Sequence, residues 1–457
     1  MAIDTGIDEL RRRISGEVIL PSHSTYNDAR VTFNATIDRL PAAIVQPRSP
    51  GDVGDAVRWA HDVGIPIAIR GGGHSVAGHA VADGALVIDL RLLRDVAVDP
   101  ARRRAVAGGG ALWEDVDRAT TAHGLATPGG TFGDTGIGGL TLGGGLGFLL
   151  GTTGLTCDNL VRAEVVAADG SIVVAGDDGD PELLWALRGG GGNFGVVVSF
   201  EFSLHRLGPL YGGYLSVPID AAADALAVLS TMAADAPREL VLFAAGPTTL
   251  DEHPNSPVVI NLTVVYQGTP DEAERSIEPL RRLPVAQDGL APRSYVEIQE
   301  MSGRLAFGLR HYWKGHLIRD LDRVVIDASV AAMADRPESS SFLLLEAITG
   351  AAREEPPGGA AFGQRAARWN ASAIGIWEDP ADDAVQIGWV RDYTNAIRPA
   401  SLTGAGYGNY APPDETEERV RASFGTERFE RLQRVKRRYD PDNVFRFNHN
   451  IPPAPIG

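Results

Sequence analysis

An imidazole and a hydroxyl follow a triple glycine in Arg70-Gly71-Gly72-Gly73-His74-Ser75, directly after the apolar run Ile65-Pro66-Ile67-Ala68-Ile69. Successive amides with no side chain over them form a nest for anions, because glycine permits both the backbone angles and the close approach. The segment fits a pyrophosphate, with Arg70 beside it. Glycine also clusters at 108–110, 136–147 and 189–195. So much bare backbone at strand and helix ends points to a large cofactor lying against it. Neither Gly136-Ile137-Gly138 nor Gly143-Gly144-Gly145 completes the Gly-x-Gly-x-x-Gly dinucleotide pattern, and no Gly-x-x-x-x-Gly-Lys-Ser/Thr occurs. His74 could cap the anion, act as a base or serve as a covalent anchor, since neutral imidazole is nucleophilic near pH 7. Two rivals use the same residues. Gly73-His74-Ser75-Val76-Ala77 is close to the nucleophile elbow of serine hydrolases, which would make Ser75 the nucleophile, but that motif requires a helix straight after the serine. His74 with His79 could ligate a metal, although a spacing of five matches no helix face.

The elements that must hold these residues are legible. Ala42-Ala43-Ile44-Val45, Ala85 to Leu90, Arg104 to Ala107, Ala163 to Ala167, Ile172 to Val174 and Val196 to Leu204 read as strands. Ser49-Pro50-Gly51-Asp52 opens a helix running to His61, with a capping serine and proline at the first helical position. Leu112 to His123 and Pro181 to Leu187 are further helices. Beyond Gly208-Pro209 glycine thins out. Helices over Ala221–Ala234, Asp271–Leu283, Leu321–Ala334 and Ala384–Ile397 interleave with strands such as Val258–Val265 and Phe342–Glu346, the pattern of an antiparallel sheet covered by helices on one face. A charged helix over Thr416–Arg438 and an extended ending over 440–450 complete an α+β chain. Trp377 and Glu378 are expected, by strand alternation, to face the site.

Composition narrows the partners. The chain of 457 residues carries 42 Lys+Arg against 59 Asp+Glu, a net charge of -17, which opposes a phosphate backbone or an anionic lipid surface. Nucleic acid and membrane are excluded as expected partners. Cys157 is the single cysteine, so an intrachain disulfide and a cysteine-rich zinc site are out. The N-terminal residues mix charges without the apolar core of a signal peptide, and no apolar run reaches about 18 residues. A soluble, cytoplasmic protein is expected, and the abundance of Arg over Lys, with Lys314 and Lys436 the lysines, hints at a GC-rich bacterial genome.

Three segments carry a resemblance. Ile67 to Gly78, Gly138-Gly139-Leu140-Thr141-Leu142-Gly143-Gly144-Gly145-Leu146-Gly147, and Tyr439-Asp440-Pro441-Asp442-Asn443-Val444-Phe445-Arg446-Phe447-Asn448 together resemble the FAD-linked oxidases of the berberine bridge enzyme-like group, in the same order and spanning about 37–452. The resemblance implies the vanillyl-alcohol-oxidase, or PCMH-type, fold. A two-lobed FAD-binding domain would occupy 1–207 (core about 37–207) and a substrate domain 208–410. A C-terminal segment, 411–457, would return to the flavin.

By the same resemblance, FAD is bound covalently through one link, at His74. Arg70, Gly71, Gly72, Gly73 and Ser75 would hold the pyrophosphate, with Gly78 and His79 following in the motif. Thr131, Asp134, Thr135, Gly138 and Gly139 would line the ring, Gly195 and Val197 the adenine side, and Asn448 would touch the isoalloxazine. Doubly linked members place a cysteine where this chain has Phe132, and Cys157 lies where the family has no flavin link. Tyr407-Gly408-Asn409-Tyr410 resembles the family's Tyr-x-Asn-Tyr, which implies Tyr410 as catalytic base with Tyr407 beside it. The implied reaction oxidises a C–H next to a hydroxyl or amine of a small molecule, with hydride to flavin N5 and dioxygen reduced to hydrogen peroxide. Thr135 occupies the position that controls dioxygen access in relatives, so a dehydrogenase is the alternative.

Overall fold

The computed structural model describes residues 2–455 except 252, 254, 255, 305 and 338. Three β-sheets organise it. The first holds Glu17–Ile19, Ala43–Gln46, Leu86–Asp89 and Ile67–Arg70 in that order, with the last three mutually parallel. Parallel neighbours need a crossover, and the helix Pro50–Val63 supplies it, capped by the Ser49 hydroxyl on the Asp52 amide. The second sheet is antiparallel, in the order Val96–Asp99, Arg104–Gly108, Val196–Ser203, Leu160–Val166 and Ile172–Gly176. Glycine clusters sit at the ends of these strands, so both sheets present bare backbone to the space between them.

The third sheet is antiparallel and eight-stranded, running from Leu210–Pro218 through Val258–Gln267, Leu240–Thr249, Phe342–Ala347 and Trp369–Trp377 to Arg310–Ile318, with short edge strands beside the first of these. Period-two alternation divides its faces. Leu343, Leu345, Ala347, Trp369, Ala371, Ala373 and Trp377 join one core with the helices Ala222–Ala234, Arg323–Ala334 and Asp383–Ile397. Phe342, Leu344, Ile374 and Ile376 look the other way, toward the glycine loops. Trp377 was expected on that second face. It instead lies under the helices and donates Nε1 to Asp383 at 2.8 Å, while Glu378, one residue past the strand, is exposed.

Two expected helices are broken, each for a local reason. The segment 271–283 forms Pro270–Ser276 and Glu278–Arg281, because Pro279 has no N–H with which to continue the ladder. The charged tail splits into Glu417–Phe424 and Thr426–Tyr439 at Gly425, whose φ of 74° no helix accommodates. No described helix is long and apolar enough to cross a membrane.

Where the helix Trp113–Thr121 meets Tyr295–Glu300, Asp117 is fully buried, accepting from Gln299 Nε2 at 3.0 Å. Burial raises its pKa from 3.8 to about 7. A raised carboxylic pKa favours folding at low pH, and that contribution is lost as pH rises through 7. Asp117→Asn should therefore stabilise the protein by about 1–2 kcal/mol near pH 8 and not measurably near pH 4. Thermal melts at the two pH values check this; equal effects at both would refute it.

Candidate active site

The two glycine loops that end the sheets meet backbone to backbone. A Cβ on Gly72 would lie 2.4 Å from the Gly136 nitrogen, and one on Gly136 would lie 2.3 Å from that of Gly72. Gly73 turns the first loop with φ 75°, directly over the Arg70 guanidinium. Above this floor runs a trench of about 360 Å³, within the range of small-molecule sites. Around Gly139, Gly192 and Gly408, all lining it, a Cβ would meet nothing within 4 Å, so the trench is open because these positions carry no side chain.

Of the residues singled out from sequence, Gly71, Gly72, Gly73, His74, Ser75, His79, Thr131, Thr135, Gly138, Gly139, Gly195, Val197, Tyr407, Tyr410 and Asn448 line this one trench. Three do not. Arg70 lies beneath the loop and donates to the Ala29 carbonyl at 2.7 Å. Gly78 (φ 72°) is a turn pressed on Ile37, and Asp134 lines a separate small cleft beside Asp117 and Glu114. The hydrolase rival fails on its own criterion: turns rather than a helix follow Ser75.

His74 stacks on Phe33, with ring centroids 5.2 Å apart and an interplanar angle of 15°. Its Nδ1 is buried with no hydrogen-bond partner among the described residues. Burial, then the Arg70 charge, lowers its pKa to about 4, so the ring is neutral at pH 7. His79 is likewise held neutral, its pKa lowered to about 3 by burial and then by His449 and Arg39. His79 Nε2 and Asn448 Oδ1 share the trench and also lack partners among the described residues. Buried polar atoms in native proteins are normally paired, so this convergence marks the place of a polar ligand. Glu415 and Arg419 are the charged side chains in the lining, and they pair with each other at 2.5 Å. An anionic ligand would therefore be held by backbone amides.

The tyrosines differ in what they can do. The Tyr407 oxygen accepts from the amides of Gly145 (2.8 Å) and Leu146 (3.2 Å) and from Asn409 Nδ2 (2.8 Å). It ties the C-terminal segment to the glycine belt and has no acceptor capacity left for a substrate proton. Tyr410 donates to Glu346 Oε1 at 3.3 Å, and Glu346 Oε2 accepts from Asn370 Nδ2 at 2.6 Å. Glu346, fully buried on the trench-facing side of Phe342–Ala347, has its pKa raised by burial to about 7. Burial, then the Glu346 charge, pushes Tyr410 well above an ordinary phenol. Sequence reasoning missed Glu346. Its signal was a carboxylate closing an apolar strand.

Asn448 is positioned by a second element that sequence reasoning missed. Lys436, with no solvent exposure, donates to Asp440 Oδ2 (2.5 Å), the Asn193 carbonyl (2.8 Å) and the Phe445 carbonyl (2.9 Å). This staple fixes the extended tail against the 189–195 glycine loop, where Asn448 Nδ2 donates to the Gly192 carbonyl at 3.3 Å.

The trench, its bare backbone and its unpaired polar atoms fit FAD, and comparison with known proteins agrees. Residues 41–176 match the FAD binding domain family, and 406–452 match the family described as berberine and berberine like. The chain is 33% identical to (R)-6-hydroxynicotine oxidase of Paenarthrobacter nicotinovorans, covering 96% of this chain and 97% of that one. The crystal structure of 6-hydroxy-D-nicotine oxidase from Arthrobacter nicotinovorans aligns with a TM-score of 0.86 at 31% identity, over 96% of this chain and 98% of that one. Glucooligosaccharide oxidase from Acremonium strictum, which has a 6-S-cysteinyl, 8α-N1-histidyl FAD, shares the fold at a TM-score of 0.86 and 24% identity, over 100% of both chains. The chain belongs to the berberine-like family of FAD-linked oxidoreductases.

Proposed function

We propose that this enzyme oxidises a C–H bond next to a hydroxyl or amine of a small molecule, with FAD held covalently through His74 alone and dioxygen as the final acceptor, released as hydrogen peroxide. The observation that carries the reading is that Tyr410, bonded to the buried Glu346, lines the same trench as His74 with its unpaired Nδ1. When bound, FAD supplies a two-electron acceptor for the substrate hydride. The chain supplies the rest. The amides of 71–75 would hold the pyrophosphate, and His74, neutral with an unpaired Nδ1, would be the residue linked to the flavin. Tyr410 takes the substrate O–H or N–H proton as its own passes to Glu346, so the buried carboxylate is where the proton ends. Tyr407 holds the glycine belt that forms the wall beside Tyr410. A single link is supported by Phe132 lining the trench at the position of the second tether, while Cys157 is buried behind the belt, its amide on the Gly144 carbonyl at 2.8 Å.

Acid precipitation tests the link. Flavin should remain with the wild-type pellet and move entirely to the supernatant in His74→Ala, while His79→Ala, which removes the other buried neutral imidazole with an unpaired ring nitrogen in the trench, should leave the flavin in the pellet. Flavin still bound to precipitated His74→Ala, or lost from the wild type, would overturn the assignment.

A further inference from the structure

The trench wall contributed by the eight-stranded sheet consists of Trp313, Leu317, Phe342, Leu344, Ile374 and Ile376, with Tyr410 standing over it. The polar groups on the same face are committed to one another: Ser372 Oγ, opposite Leu344, donates to Asn370 Oδ1 at 3.1 Å. Glu346, on the same face, is committed to Tyr410 and Asn370. Two substrate classes fit badly. A saccharide would bring several hydroxyls against aliphatic and aromatic carbon, each losing water without a replacement partner. A cationic amine would lose its hydration with no free carboxylate to meet it. Among the described residues that line this wall, Trp313 Nε1 is the uncommitted polar atom, a buried donor without a partner on a residue 7% exposed. Its ring stands perpendicular to that of Tyr410, with centroids 5.4 Å apart, so donor and base share one chamber. Indole nitrogen donates only, so what it lacks is an acceptor.

We propose that the substrate is an uncharged, largely apolar ring alcohol bearing a second group, a carbonyl or its equivalent, that accepts a hydrogen bond from Trp313 Nε1 while the hydroxyl meets Tyr410. The inference rests on the flavoenzyme reading above and sharpens it. Trp313 is then a specificity residue. A site built to pair with an acceptor rejects the analogue lacking it much more strongly than an apolar wall rejects a change of shape.

The test uses FAD-loaded protein mixed anaerobically with 4-hydroxy-1-tetralone, 1-tetralol or cellobiose, followed by bleaching of the flavin band. The two ring alcohols differ by one carbonyl. 4-Hydroxy-1-tetralone should half-saturate at roughly tenfold lower concentration than 1-tetralol, and cellobiose should not bleach the flavin. In Trp313→Phe, checked for retained flavin and unchanged circular dichroism, the ratio between the two alcohols should collapse to about one. Cellobiose outperforming both alcohols, no response to either alcohol, or a tenfold ratio that persists in Trp313→Phe each overturns the inference. The wild-type comparison stands without the variant. Protein that takes up no FAD fails at the earlier step and overturns the flavoenzyme reading instead.

Discussion

Glu346→Gln should reduce the rate of anaerobic flavin bleaching by about 10²–10⁴-fold and remove its dependence on pH between about 6 and 8. The wild-type rate should rise with pH and level off above 7, because the active form is the carboxylate and its pKa is raised to about 7. One unit below that value, about a tenth of the enzyme carries the ionised form. Glutamine keeps the shape and can still accept from Asn370, but toward Tyr410 it presents an amide that cannot receive a proton. Tyr410 would then have to take the substrate proton with nowhere to pass its own. Stopped-flow bleaching over the pH range, with flavin content measured alongside, is the check. A pH step near 7 surviving in the variant would show that another group titrates and that Glu346 only packs.

The difference between what the sequence showed and what it concealed follows from the range of the interactions. Strand ends, turns and helix starts are written in neighbouring residues, so the helix Pro181–Leu187, the hairpin joining Leu160–Val166 to Ile172–Gly176 and the cap at Ser49 were readable. The glycine loops were readable because absence of side chains is itself a local signal. Glu346 was not, since its meaning comes from Asn370 and Tyr410, brought together only when the sheet forms. Trp377 was placed on the wrong face for a related reason. Alternation shows that two faces exist, and only the packed helices show which one is covered. The separation of roles between Tyr407 and Tyr410 likewise depends on amides of the distant 145–146 segment.

Lys436 illustrates a further limit. In a chain dominated by arginine its presence read as codon usage, whereas the fold demands lysine there. The ammonium has three donors in a compact head, and Asp440, Asn193 and Phe445 supply three acceptors in a fully buried space. A planar guanidinium has too many donors and too much volume for it. Lys436→Met should cost about 3–5 kcal/mol locally, because the substitution keeps apolar volume but leaves the Asp440 carboxylate buried without its cation and takes a donor from the Asn193 and Phe445 carbonyls, of which Phe445 keeps Asn448 Nδ2 at 3.1 Å. Asp440 would still accept from the Val444 and Phe445 amides at 2.7 and 2.9 Å, so the turn itself should persist. The weakened contact is between tail and glycine loop, the one that brings Asn448 to the trench. Opening there should precede global unfolding, as expected of a segment whose stability has fallen below that of the sheets. On heating, flavin fluorescence, unmasked when the tail leaves the trench, should rise well before the circular-dichroism melt in the variant and together with it in the wild type. Lys436→Met with Asp440→Asn should bring the two transitions back toward each other, since the unpaired charge is then gone. Coincident transitions in the single variant would show that the staple does not hold the site.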